Sequence, residues 1–194
     1  TKDENEVLLD LVNKNKDGKG MTVTAVTKNG IALDFSQASQ HLIIHDKASA
    51  GAVNTYTISY EGIPADGLII SDNKYGHRTF FGDNCPNRAH NWIPCNDHPS
   101  DKATLDWIGK APDHYQVISN GKKIEETNLE NHFKLTHWKE DVPLPTKVMV
   151  IGVMDFSVNH IGSIDCIPVS SWVYPQDKDS GFAHYAIAKN ILQW

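Results

Sequence analysis

Residues 53–60 read Val53-Asn54-Thr55-Tyr56-Thr57-Ile58-Ser59-Tyr60. Tyr56, Ile58 and Tyr60 recur with a period of two, and Thr55, Thr57 and Ser59 fill the places between. An extended backbone sends successive side chains to opposite faces, so this stretch predicts a half-buried β-strand. Upstream, Val7, Leu9 and Leu11 alternate with Leu8 and Asp10. A turn at Asn15–Gly18 leads into Met21–Thr27, which is rich in the β-branched residues that strands favour. Lys28-Asn29-Gly30 is a hairpin signal, because Asn and Gly accept the positive φ of a type I′ turn, and Ile31–Phe35 would be the return strand. His41–His45 is another short strand.

Downstream, Gly67–Ile70, Arg78–Phe81 and Thr104–Ile108 read as strands, the last with Leu105 and Trp107 on one side. Tyr115–Ile124 reads as a second Asn-Gly hairpin around Asn120-Gly121. His132–Trp138 follows, and Lys147–Phe156 is continuous enough to be a buried central strand. His160–Tyr174 is also extended. The fold class is all-β: a mostly antiparallel sandwich of about a dozen short strands.

The tail changes period. Asp177–Gly181 reads as a linker, with Ser180 as helix N-cap. Ala183, Ile187, Ile191 and Trp194 then form one stripe of a helix. By pattern alone that helix could dock on the sheets or open a further domain.

The 194 residues suit one domain with a substantial core, and 9% aromatic content excludes a disordered chain. A formal charge of −6 with no Lys/Arg-rich run argues against nucleic acid or anionic membrane as a partner. The longest apolar run, Val148–Met154, has seven residues, far short of the ~18 that a membrane helix needs. The chain reads as soluble; its opening, Thr1-Lys2-Asp3-Glu4, has no leader character and names no compartment. Cys85, Cys95 and Cys166 are an odd set without C-x-x-C, which is no disulfide framework and leaves open a single Cys85–Cys95 bridge.

Residues 83–101 break the strand pattern. They hold Pro86, Pro94 and Pro99 among several Asn and Asp residues, and a long irregular loop in a compact domain is often functional. His90, Cys95, Asp97 and His98 fall within it, so a small metal-dependent hydrolase is one reading, but the spacing matches no zinc pattern. His41 and His45 would lie roughly 13 Å apart on a strand, too far to share an ion. There is no H-E-x-x-H, no G-x-S-x-G elbow and no phosphate-cradling glycine loop. Trp107 and Trp138 fit a core. Trp92 and Trp172 are the candidates for a stacking platform, which a free-standing β-sandwich module binding carbohydrate or protein would use.

The loop together with its surroundings resembles a known family. Pro94-Cys95, Asp97, Pro99-Ser100 and Lys102-Ala103, followed by Val117-Ile118-Ser119-Asn120-Gly121 and the strand Lys147–Asp155, are similar to the N-terminal domain of zinc aminopeptidases of the aminopeptidase N and leukotriene-hydrolase family. Glu6–Leu11 and Val53–Gly62 resemble its early strands. The resemblance implies a saddle-like β domain over residues 1–175 and, over 176–194, a linker and the first helix of a thermolysin-like catalytic domain. That domain would carry H-E-x-x-H with a downstream Glu as zinc ligands, and a Gly-x-Met-Glu-Asn segment, none of which this sequence contains.

The zinc would therefore belong to the catalytic domain, with no cofactor or metal ligand in this chain and no catalytic residue of its own. The implied partners are that catalytic domain and the N-terminus of a peptide substrate. A Gln or Glu of the loop holds the substrate's α-amino group in such enzymes, a place that falls at Cys85 here. A thiol suits an ammonium poorly, so Asp83 and Asn84 are the alternative acceptors. Arg88, Asp97 and Ser100 would brace the loop, and Pro94 and Pro99 would fix its path.

Overall fold

The computed structural model describes residues 4–194. The first three residues of the opening stretch read above lie outside the described residues. In chain order the strands are β1 (Val7–Asp10), β2 (Gly20–Lys28), β3 (Ile31–Ala32), β4 (Phe35–Ala38), β5 (His41–Ile44), β6 (Tyr56–Ile63), β7 (Leu68–Asp72) and β8 (Arg78–Gly82). After the long loop come β9 (Lys102–Pro112), β10 (Gln116–Ser119), β11 (Lys122–Leu129), β12 (Phe133–Pro145), β13 (Ile151–Met154), β14 (Ser157–Ile164) and β15 (Ile167–Val173). Two helices close the chain, α1 (Lys178–Tyr185) and α2 (Ala188–Leu192).

The strands form sheets in the orders β1-β5-β4, β3-β2-β6, β10-β13-β8-β7 and β11-β12-β9, with β14-β15 as a separate ribbon. Every paired strand runs antiparallel to its neighbour. The chain is thus the mostly antiparallel β domain with a C-terminal helical segment that the patterning predicts.

The main core lies where β2 and β5 face each other. Leu11, Met21, Val23, Val26, Leu42, Ile44 and Trp92 are buried together there. Met21, Val23 and Val26 do not share one parity, yet all point inward. The register shift between Val23 and Ala25 explains this, because a bulge at Thr24 moves the later residues to the other face. Beside the bulge, β3 is too short to pair with the rest of β2. Gln37 of β4 takes its place: its amide donates to the Met21 carbonyl at 3.0 Å and accepts from the Val23 amide at 3.1 Å. One side chain thereby completes the backbone hydrogen bonding of a short edge.

Several local readings need correction. Asn29 and Gly30 do form the turn, with φ of 53° and 80°. The return strand Ile31–Phe35, however, breaks into β3 and β4, which join different sheets. Asn120-Gly121 closes no hairpin: β10 pairs with β13, while β11 pairs with β12. The Asn120 side chain explains the difference. It donates to the Val148 carbonyl at 3.0 Å and accepts from the Val150 amide at 2.7 Å, so the turn is caught by a third segment. Lys147–Phe156 is not one strand either. Thr146–Val148 is a 3-10 turn, and only Ile151–Met154 pairs, at the centre of its sheet between β10 and β8.

The tail departs in the same way. Helix α1 begins at Lys178, so Asp177–Gly181 is no linker and Ser180 lies inside the helix, with Asp177 at the N-cap. Residues 186–187 interrupt the helical run before α2.

Candidate functional site

The irregular loop 83–101 is held from beneath. Its anchor is Asn84, whose side chain is fully buried. The Asn84 amide donates to the carbonyls of Thr146, at 3.3 Å, and Met149, and its Oδ1 accepts the Trp92 indole N–H at 2.9 Å. Trp92 stacks on Trp107 with centroids 5.3 Å apart and planes 8° from parallel. The loop thus hangs from the main core by an aromatic pair and from the segment before β13 by an amide.

A second brace is Asp97. Its side chain accepts from the Thr146 hydroxyl at 2.6 Å, from His90 Nδ1 at 2.6 Å and from the His90 amide at 3.2 Å. Burial works to raise the pKa of this carboxyl, but the hydrogen bonds from Thr146 and His90 outweigh it and hold the group below the usual range. The Asp97 amide in turn donates to Asp10 Oδ2 at 3.0 Å. Cys95 forms a bridge with Asp10 through paired backbone bonds of 2.7 and 3.2 Å. Burial, then the carboxylates of Asp97, Asp10 and Asp101, push the Cys95 thiol up to about 12. It stays a neutral thiol near pH 7, unsuited to be a nucleophile.

The third brace lies at the loop's start. Arg88 donates from Nε to the Cys85 carbonyl at 2.8 Å and pairs with Asp83 at 2.5 Å and with Asp66 at 3.5 Å. Asp83 follows directly on Gly82, and its amide donates to the Gly67 carbonyl at 2.6 Å. Gly67 has φ of +77°, and a Cβ there would lie 2.2 Å from the Arg88 carbonyl oxygen, so only glycine lets the two segments approach. Beside Gly82 is a shallow apolar hollow of about 330 Å³, walled by Phe81, Ile118 and Val150 and floored by Gly82 and Gly152.

The predicted residues therefore separate. Asp83 and Cys85 reach the surface, Asp83 half-buried and Cys85 exposed, while Asn84 lies inward with its polar atoms occupied. Arg88 and Asp97 tie distant segments together. Ser100 reaches only His98, at 2.7 Å. Pro94 and Pro99 flank the Cys95–Asp97 contacts. Two partners carried no signal in the sequence: Asp66, the second carboxylate on Arg88, and Thr146, whose hydroxyl and carbonyl serve both main braces.

The other readings of the loop fare differently. Trp92 is buried in the core, so it and Trp172 form no exposed platform; Trp172 stands edge-on to Phe156. Trp107 and Trp138 are half-buried, and the Trp138 indole donates to the Val117 carbonyl at 2.8 Å. The cysteines are free thiols, so no Cys85–Cys95 bridge forms. His90 turns to Asp97 and His98 to Ser100, and no three His, Cys, Asp or Glu side chains among the described residues are placed to hold a metal ion. His41 and His45 pair separately, with Asp10 and Glu6. No helix among the described residues is long and apolar enough to cross a membrane.

Comparison with known proteins follows this geometry. Residues 3–148 match the family described as Peptidase M1 N-terminal domain. Among similar curated proteins, "Probable aminopeptidase 2" of Sulfurisphaera tokodaii is 25% identical over 98% of this chain and 23% of its own length. "Leucyl aminopeptidase" of Saccharolobus solfataricus is 22% identical over 99% of this chain and 23% of its own. "Glutamyl aminopeptidase" of Rattus norvegicus is 30% identical over 54% of this chain and 11% of its own. The chain thus spans a quarter or less of the curated relatives it matches. Among solved structures, an M1 zinc metallopeptidase from Deinococcus radiodurans superposes with a TM-score of 0.71 at 23% identity, over 87% of this chain and 39% of that one. That likeness shows a shared fold.

Proposed function

The chain belongs to the peptidase M1 N-terminal domain family, and we propose that it is the non-catalytic β domain of a zinc aminopeptidase, which removes N-terminal residues from peptides. The observation that carries this reading is the family match over residues 3–148, a span that includes the whole braced loop. The described residues hold no ligand set for zinc. In this reading the metal, which activates water in such enzymes, resides in a catalytic domain that residues 176–194 begin and against which the β domain packs.

The loop's part is to rim the substrate cleft. Around Arg88 stand two carboxylates, Asp83 and Asp66, so the cluster carries a local charge of −1. A peptide's α-ammonium finds there an acceptor already oriented by the Arg88 pair. Asp83 is the contact we assign, with exposed Cys85 beside it as a neutral neighbour. Asn84 supports both from below, because its own polar atoms are occupied.

The test has two arms. The 194-residue chain should bind no stoichiometric zinc and release no fluorophore from aminoacyl substrates; one zinc per chain with turnover would overturn the reading. In the longer aminopeptidase, Asp83→Ala should raise KM about tenfold with kcat little changed, the loss expected for one charged hydrogen bond. An unchanged KM would remove Asp83 from the cleft.

A further inference from the structure

Helix α1 continues from a 3-10 turn, Pro175–Asp177, in which the Asp177 and Lys178 amides donate to the Tyr174 and Pro175 carbonyls. Asp177 thus stands at the N-cap of α1, a position where Asp ordinarily accepts hydrogen bonds from the first-turn amides. Asp177 makes no such bond. Its carboxylate is turned away from the helix to the tip of the β7–β8 turn. There it accepts the Tyr75 hydroxyl and pairs with Lys74 Nζ at 3.0 Å. The turn is itself organised, with Asn73 Oδ1 accepting the Tyr75 and His77 amides at 2.9 and 3.0 Å. The Lys74 ammonium lies 4.8 Å from the Tyr75 ring centre, and Tyr75 meets Tyr174 edge-on at 6.2 Å. Tyr75 and then Lys74 hold the Asp177 carboxyl below its usual range, so it is ionised in the latched state at neutral pH.

Little else fixes the helices. Neither α1 nor α2 has a buried residue. Under α1 lies a cavity of about 480 Å³, walled by Phe81, Phe156 and Trp172 on the sheet side and by Gly181 and Tyr185 on the helix side. Helix α1 runs along β15 and α2 along β14, with Phe182 and Ala188 half-buried. Gly181 lies against Val173, where an added Cβ would come within 2.8 Å of the valine methyl. The Lys189 side chain lies over Gly162, where an added Cβ would come within 3.2 Å of Nζ.

We infer that the Asp177–Tyr75–Lys74 contact is a latch: the β7–β8 turn takes the N-cap carboxylate of α1 and thereby sets the direction in which residues 178–192 leave the β domain. The helix gives up its own cap to make this long-range tie. When the tie is broken, the Asp177 carboxylate is free to cap α1, and the 3-10 turn and the two helices pivot as a unit about Tyr174 over the cavity. The exposed stripe of Ile187, Ile191 and Leu192 is therefore aimed by a polar contact at the root of the helix and not by burial along its length. This inference is independent of the proposed enzymatic role.

The test is nuclear magnetic resonance on the 194-residue chain, comparing the natural protein with the double variant Lys74→Met, Tyr75→Phe and with Asp177→Ala. In the natural protein, backbone order parameters over 178–192 should be near 0.85, those of a rigid backbone, and Gly181–Val173 proton contacts should be present. Both variants should lower the order parameters below about 0.6 and abolish those contacts, while amide shifts of β2, β5 and β6 stay in place. Only the double variant retains a carboxylate able to cap α1, so only there should exchange of the Ser180 amide slow about fivefold. Persistence of the Gly181–Val173 contacts and of high order parameters in both variants would overturn the latch. So would Ser180 protection that is equal in the two.

Discussion

The loop 83–101 and the helices 178–192 invert the usual link between regular structure and anchoring. The loop has only one short 3-10 turn, Ala89–Asn91, yet it contains fully buried Asn84 and Ala89 and nearly buried Trp92. The helices satisfy their own backbones, and Ile187 and Ile191 are 57% and 63% exposed. Irregular backbone in a core must find partners for each polar group elsewhere, and every such partner is a tertiary tie. A helix needs no such partners along its length and can be fixed by a contact at its root. Rigidity at the candidate site thus comes from side chains that answer orphan backbone groups.

The largest effect should come from Asn84→Ala. It leaves the Trp92 indole and the Met149 carbonyl without partners in a buried place, while the Thr146 carbonyl keeps only the Met149 amide, and it should cost about 3 kcal/mol, read as a lower midpoint in urea. A loss below 1 kcal/mol would mean that the loop is not hung from this amide. Gly67→Ala comes next, at about 2–3 kcal/mol, because it forces a left-handed backbone on alanine and drives a methyl into the Arg88 carbonyl. If the same protein tolerates alanine there, the approach of the two segments is not what seats the loop.

Asp97→Asn should cost about 1–2 kcal/mol at pH 7 and should also change the acid limb. The folded Asp97 pKa lies below the ordinary value, so its stabilisation is present above that ordinary value and is lost as pH falls through the folded one. The natural chain should therefore lose stability more steeply below about pH 4 than Asp97→Asn does. Parallel acid limbs in the two proteins would remove Asp97 as a charged brace. The smallest effect belongs to the helices: Ile191→Ser should shift unfolding by no more than about 0.5 kcal/mol, as for any exposed position. A larger loss would show that α2 is packed after all, and the contrast between the two regions would fail.

What could be read in the sequence follows the range of the interactions. The Asn29-Gly30 turn was legible because positive φ is a local demand that those residues meet. The same dipeptide at Asn120-Gly121 misled, since the Asn120 side chain found Val148 and Val150, about thirty residues away, and the flanking strands went to separate sheets. Tight turns at Asn131-His132 and Asp165-Cys166 escaped notice because their second positive φ falls on His132 and Cys166, where a turn signal of this kind ordinarily has glycine. At the candidate site, Asp83, Cys85, Arg88 and Asp97 could be named from the loop's resemblance. Asp66 and Thr146 could not, because their roles depend on chain segments that meet only after folding.

By itself, then, the sequence determined the β class, the family and the position of the long braced loop, because alternation and local residue order report on neighbours along the chain. Tertiary structure alone decided which strands share a sheet, that Asn84 points inward while Asp83 and Cys85 point out, and that Asp177 serves a distant turn instead of its own helix. Each of these outcomes is a choice among competing hydrogen-bond partners, and the winning partner lies far away in sequence.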